Sequence, residues 1–259
     1  MIKTLFLQIL FILVFTYIGL GITLFIFQTS FFYHPDSTSF QDCLNFQDAQ
    51  KKTFNNTRFY YKQNSPNLAV FYHGNAGSAC DRTYLKHILE KQNYSYIFVE
   101  YAGYSGDDKR PTKKLLLKDA QNINEFIKTT NYKNITLIGE SVGTGIATYH
   151  STLTKPDKVL LMAPFTNTPD LVKNLLPIYP ISLMLKETYD NEKNLAGFKG
   201  HIHIIHGDKD NVIPYKFGKK LYENLQNKNK VFTSIQGAGH NDLYSFPQTT
   251  KAIGNFLKS

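Results

Sequence analysis

The segment Leu137-Ile138-Gly139-Glu140-Ser141-Val142-Gly143-Thr144-Gly145-Ile146 runs an apolar stretch into a glycine, a serine, and the start of a helical pattern. The spacing is G-x-S-x-G, with Gly139 and Gly143 flanking Ser141. A serine on the bend of a strand–turn–helix stands on a strained elbow, where small neighbours let the backbone double back. Its hydroxyl projects beyond the strand end, and the following helix turns its free N–H groups toward the reacting carbonyl. That is the chemistry of acyl transfer. A glycine-rich turn alone would do none of it, so the other parts must lie elsewhere in the chain.

A serine hydroxyl is a weak nucleophile until a base takes its proton, and the base needs an acid to orient it. The order nucleophile, acid, histidine points to Gln236-Gly237-Ala238-Gly239-His240-Asn241-Asp242, whose small residues let the loop carrying His240 approach the strand ends. The acid belongs after the preceding strand, in His206-Gly207-Asp208-Lys209-Asp210-Asn211-Val212-Ile213-Pro214. Asp210 lies farther from the strand and can turn toward His240, whereas Asp208 suits backbone N–H groups of the turn. Asp242 follows the histidine too closely. Asp210 is therefore the expected acid. The negative charge on a tetrahedral intermediate needs two aimed donors. The N–H of Val142 is one, and the loop His73-Gly74-Asn75-Ala76-Gly77 offers the N–H of Asn75 as the other. His73, directly after a strand, reads as structural. His201 and His203 alternate along a strand with no cysteine or carboxylate cluster beside them, so no metal is expected. The reaction requires no cofactor.

These residues need a scaffold that brings several loops to one edge. Unbroken apolar runs occur at Leu68–Tyr72, Tyr96–Val99, Ile135–Ile138, Val159–Ala163, Ile202–Ile205 and Val231–Ile235, with a short alternating strand at Arg58–Tyr61. Such runs are what strands buried on both faces look like. Helical patterns lie between or after them, at Asp81–Lys91, Lys113–Thr129, Val142–Thr154, Tyr215–Leu225 and Thr249–Leu257. This alternation predicts an α/β fold with a mostly parallel central sheet and helices on both faces. In such sheets ligands bind beyond the carboxyl ends of the strands, where every motif above falls. Residues 164–200 break the alternation with Pro169, Pro177 and Pro180 among apolar side chains, and read as a short helical cap over the strand ends.

A length of 259 residues with 42% hydrophobic side chains suits one such domain plus a small extra segment. The net charge of +9 suits anionic partners such as a membrane surface, but the lysines are scattered and nothing resembles a nucleic-acid module. Cys43 and Cys80 make neither a disulfide framework nor a metal cluster. One bridge is open to them in an oxidising compartment, but nothing in the sequence pairs them, and Cys80 reads as a small buried residue. Asn-x-Ser/Thr triplets stand at Asn55, Asn93 and Asn134.

Leu5–Phe27 holds 23 residues without a charge, enough at about 1.5 Å each to cross a hydrocarbon core of about 30 Å. The run ends in Gln28-Thr29-Ser30-Phe31-Phe32-Tyr33, a poor signal-peptidase site and a fair interfacial aromatic belt. Residues 1–30 therefore read as an uncleaved anchor and residues 31–259 as the catalytic domain. Lys3 precedes the span and no Lys or Arg follows before Lys51, which sets the N-terminus in the cytoplasm and the domain on the opposite side. The polar stretch from Asp36 suggests a seam, with the anchor serving delivery rather than folding.

Taken together, "FFYHP", "YHGNAG", "EYAGYSG", "GESVGTG", "HGDKDNVIP" and "GAGHND" make the chain resemble the α/β-hydrolase superfamily. The likeness is greatest to its membrane-anchored serine hydrolases, which include depalmitoylating acyl-protein thioesterases. The pieces follow the family's order across nearly the whole chain. The resemblance implies an α/β-hydrolase fold and a Ser141–Asp210–His240 triad, with the family's H-G-x-x-D pattern also placing the acid on Asp210. It implies cleavage of esters or thioesters, on lipid or lipidated protein, through an acyl-enzyme. Two departures stand out: Gly103-Tyr104-Ser105 replaces a glycine-tyrosine-glycine turn, and Pro111-Thr112-Lys113 replaces proline-serine-glutamate. The rival readings are an amidase or peptidase of the same fold, and a non-catalytic hydrolase-like membrane protein that binds a partner.

Overall fold

The computed structural model describes residues 2–259. Eight strands form one sheet: β1 Gln50–Phe54, β2 Thr57–Lys62, β3 Asn67–Tyr72, β4 Ser95–Glu100, β5 Asn134–Glu140, β6 Lys158–Met162, β7 His201–Gly207 and β8 Lys230–Ile235. Their order across the sheet is β8-β7-β6-β5-β3-β4-β2-β1. The strands from β8 to β4 pair in parallel, while β2 pairs antiparallel with both β4 and β1. The hairpin β1–β2 turns on Asn55 and Asn56, both at positive φ (47° and 69°), as a tight two-residue turn requires. The polar β1 carries no apolar signal because it is an edge strand, where lysines discourage further pairing.

The helices are α1 Ile2–Phe32, α2 Thr83–Lys91, α3 Lys113–Lys128, α4 Gly143–Leu153, α5 Thr168–Leu175, α6 Ile181–Met184, α7 Asn191–Leu195, α8 Tyr215–Asn224 and α9 Pro247–Lys258. Strand alternation sends Val70, Tyr72, Ile97 and Val99 to the face covered by α3, α4 and α8. Ala69, Phe71, Tyr96 and Phe98 point to the face covered by α2 and α9. Both faces are buried, which is why the strands read as continuous apolar runs. Between Pro164 and Gly200 the chain forms α5, α6 and α7 over the carboxyl edge of the sheet.

Two features differ from the sequence reading. Cys43 and Cys80 are joined by a disulfide with Cα atoms 5.9 Å apart, across a separation of 37 residues. The pairing is set by tertiary packing. Phe40 and Phe46 dock the forties segment on the sheet face beside Cys80, and the Asn45 side chain donates to the Cys80 carbonyl (2.9 Å). Helix α1, long and apolar enough to cross a bilayer, also runs past residue 30 and packs its last turns on the cap. The Gln28 amide donates to the Met184 carbonyl (3.2 Å) and accepts from the Lys186 N–H (2.6 Å). It is not a free tether.

Candidate active site

Ser141 follows β5 with φ of 53°, a left-handed conformation that costs a non-glycine residue about 1–3 kcal/mol and persists only where its surroundings enforce it. Those surroundings are specific. The Ser141 N–H donates to the Met162 carbonyl (2.9 Å), and its carbonyl accepts from the Thr144 N–H (3.0 Å) and hydroxyl (2.6 Å). A Cβ on Gly143 would lie 2.1 Å from the Tyr72 carbonyl oxygen, so only glycine lets α4 start this close to β3. The hydroxyl is thereby pushed out beyond the sheet, with the residue 6% exposed.

Neighbouring strands carry the partners. Asp210 follows β7 and His240 follows β8, strands paired up to Gly207↔Ile235. His240 Nδ1 lies 2.7 Å from Asp210 Oδ2, and His240 Nε2 lies 3.0 Å from Ser141 Oγ. Burial raises the Asp210 carboxyl, but hydrogen bonds from His206 and His240 and from the Ile213 N–H outweigh it and hold the group well below the usual carboxylate range. Its other oxygen accepts the N–H groups of Val212 (2.9 Å) and Ile213 (2.8 Å). An ionised carboxylate only accepts, so Nδ1 carries the proton and Nε2 presents its lone pair to the serine hydroxyl. Asp208 stands apart and accepts the Gly237 N–H (2.7 Å), while Asp242 accepts the Gly239 N–H (2.6 Å).

The loop after β3 lies beside the elbow because Tyr72 pairs with Gly139. Among the described residues, neither the Asn75 nor the Val142 N–H donates to a protein acceptor, and both residues line the same cavity as Ser141. The Asn75 loop is held from three sides. Its carbonyl accepts from the Tyr104 hydroxyl (2.7 Å) and the His34 N–H (2.9 Å), and its side chain donates to the Phe32 carbonyl (3.1 Å). His34–Pro35 pairs in parallel with Ala76–Gly77. The exit of α1 therefore clamps this loop, and "FFYHP" is the segment that does it. Sequence reasoning read its Phe31-Phe32-Tyr33 as an interfacial belt and missed this clamp, since the partner lies about 40 residues away.

Other histidines have other surroundings. His73 is buried, stacked on Tyr101 with centroids 4.0 Å apart. His203 faces the Thr233 hydroxyl (2.8 Å), and burial lowers its pKa to about 4. The elbow residue Glu140, unremarked in the sequence, binds Arg82 (3.2 Å) and accepts from the hydroxyls of Tyr84 (2.6 Å) and Tyr244 (3.1 Å), tying the Ser141 elbow to α2 and to the loop beyond His240. A depression of about 990 Å³ lies at the opposite edge of the sheet, around Asn67, Asn134 and His201, away from Ser141. The cavity at Ser141 is smaller, about 430 Å³, and its lining is almost wholly apolar.

The fold matches solved structures of esterases and lipases. The Pyrococcus furiosus esterase superposes with a TM-score of 0.67 over 88% of this chain and 97% of its own, at 16% identity. A monoacylglycerol lipase from Paleococcus ferrophilus gives 0.61 over 78% of this chain and 98% of its own, also at 16% identity. Among sequences, zebrafish (Danio rerio) lysophosphatidylserine lipase ABHD12 is 26% identical over 231 residues, 76% of this chain and 59% of that protein. Human ABHD12B is 30% identical over 217 residues, 73% of this chain and 60% of its own. The chain has the α/β-hydrolase fold. No family model matches it. The chain spans about 60% of the length of the curated relatives it matches.

Within this fold, the turn at Gly103-Tyr104-Ser105 gains a physical reading. Tyr104 supports Asn75, and the loop is pinned from below because Asp119 on α3 accepts the Ala102 N–H (2.9 Å) and the Thr57 hydroxyl (2.7 Å). Ser105 sits at φ of 46°, where glycine would be unstrained, and its buried hydroxyl has no partner among the described residues.

Proposed function

We propose that the protein is a membrane-anchored serine hydrolase that cleaves carboxylic esters of fatty acyl chains. Ser141 Oγ attacks the acyl carbon while His240 Nε2 takes its proton, and Asp210 holds the imidazole in the tautomer this requires. The N–H groups of Asn75 and Val142 receive the oxyanion. Collapse of the intermediate expels the alcohol, which takes the proton from His240, and water then repeats the sequence on the acyl-enzyme to release the carboxylic acid. The observation that carries this reading is the line Asp210–His240–Ser141, at 2.7 Å and 3.0 Å, opening into an apolar cavity. The names of the relatives, a lysophosphatidylserine lipase and a monoacylglycerol lipase, favour an ester with one acyl chain.

The decisive experiment is labelling by a fluorophosphonate probe alongside turnover of p-nitrophenyl esters. Labelling and turnover are expected for the native chain. Both are expected to vanish in Ser141→Ala with the thermal transition unchanged, and retained turnover overturns the assignment. Helix α1 anchors the protein, with the catalytic domain on the side away from the cytoplasm. The Cys43–Cys80 bridge supports that orientation, since disulfides persist in oxidising compartments. Protein taken from its native membrane is expected to run faster on a non-reducing gel than after reduction, and thiols that react with maleimide before reduction would contradict the orientation.

A further inference from the structure

Helix α1 spans 31 residues, about 46 Å at 1.5 Å per residue, whereas a hydrocarbon core of about 30 Å needs roughly 20. About a third of it is therefore surplus to crossing. The residues that touch the cap or the cavity are Tyr17, Gly21, Leu24, Phe25, Gln28, Phe31 and Phe32, which recur at the three- and four-residue steps of one helix face. The join is tight. Tyr17 and Tyr179 stack at 4.7 Å with rings 5° from parallel, and each hydroxyl donates to a backbone carbonyl of the other segment, at Ile178 (2.8 Å) and Tyr17 (3.1 Å). A Cβ on Gly21 would stand 3.0 Å from the Tyr179 ring. The buried Gln28 amide is satisfied by cap backbone on both its oxygen and its nitrogen.

This face does more than grip. Leu24, Phe25 and Phe31 form one side of the cavity that opens at Ser141, opposite Leu171, Leu175 and Met184 of the cap. Beside it the cap leaves Leu175, Ile178 and Leu183 exposed (57%, 69% and 83%), an apolar surface contiguous with the helix. Exposed apolar side chains continuous with a membrane-crossing helix have the bilayer as their natural cover.

We propose that the C-terminal turns of α1 are a substrate-binding element. They wall an acyl channel through which the single chain of a bilayer-resident ester passes, between helix and cap, to reach Ser141 without crossing water. Chain length is then read in part by the anchor itself, chiefly at Leu24 and Phe31. The proposal rests on Ser141 being the nucleophile, and its test separates the two ideas.

The full-length protein in detergent micelles would be assayed on p-nitrophenyl esters from acetate to palmitate. Leu24→Trp is expected to lower the palmitate-to-acetate ratio of kcat/KM by roughly tenfold or more, the scale at which a pocket discriminates a few methylenes. Ile26→Trp, on the exposed face of the same helix, is expected to leave the ratio unchanged. As an independent measurement that needs no variant, a long-chain alkyl fluorophosphonate carrying a diazirine near its end would be attached to Ser141 and irradiated. Cross-links to peptides containing residues 24–32 are expected. An unchanged ratio in folded Leu24→Trp, or cross-links confined to other segments, overturns the channel while leaving the hydrolase reading intact. A native chain that takes neither probe nor ester overturns both.

Discussion

Asp208 and Asp210 sit two residues apart and do different work. Asp210 spends one oxygen on His240 and the other on the backbone of its own turn, while Asp208 braces the Gly237 N–H. Asp210→Asn should lower kcat by about 10⁴, because the amide no longer fixes the tautomer that leaves Nε2 free. Asp208→Asn keeps an oxygen for Gly237 and should lose far less; equal losses would mean that the acid has been misidentified. Ser105 is a second test at this scale. It combines left-handed backbone with a buried, unpartnered hydroxyl. Ser105→Gly removes both penalties and gives the turn a glycine-tyrosine-glycine sequence. A gain of about 1 kcal/mol is expected after the entropic cost of glycine, read as a higher urea midpoint at unchanged slope. A lower midpoint would mean that the hydroxyl has a partner, such as bound water, that stabilises the turn.

Elements deliver these residues, and one carboxyl reports how firmly. Asp119 on α3 pins the loop after β4, and burial raises its pKa to about 6 despite the hydrogen bonds it accepts. A carboxyl raised in the folded state contributes most when protonated. Its contribution is full below the unfolded value of about 3.9 and is lost as pH rises through about 6. Relative to Asp119→Asn, the native protein should therefore lose stability between pH 4 and pH 6, checked by urea midpoints across that window. A pH-independent difference would place the Asp119 pKa outside it. The same level shows what a sequence can reveal. The strands β3 to β7 announced themselves as apolar runs because both their faces are buried, whereas β8 is a partly exposed edge strand. Ser141, Asp210 and His240 were legible because loop chemistry and chain order restrict each to a few positions. The disulfide, the β1 edge strand and the task of "FFYHP" were not. Each depends on which distant segment packs alongside, and neither periodicity nor local spacing encodes that.

For the whole molecule, α1 and the α/β domain pack as one body. Removing residues 1–32 would take away a wall of the cavity, the Gln28 bonds to the cap and the Phe32 carbonyl that holds Asn75. The truncated chain should therefore lose turnover even of p-nitrophenyl acetate, not only of lipid-embedded esters. The comparison with full-length protein in micelles decides it, and full acetate activity in the truncated chain would restore the picture of a delivery tether. The clamp between His34–Pro35 and Ala76–Gly77 carries one more consequence. Many membrane-tethered ectodomains are released by a cut in the stalk and go on working in solution. Here the residues that would have to serve as stalk are already a strand and the support of the Asn75 loop. Under the proposed function, a protease that severed them would end turnover rather than release a working domain, and the range of action would stop at the bilayer.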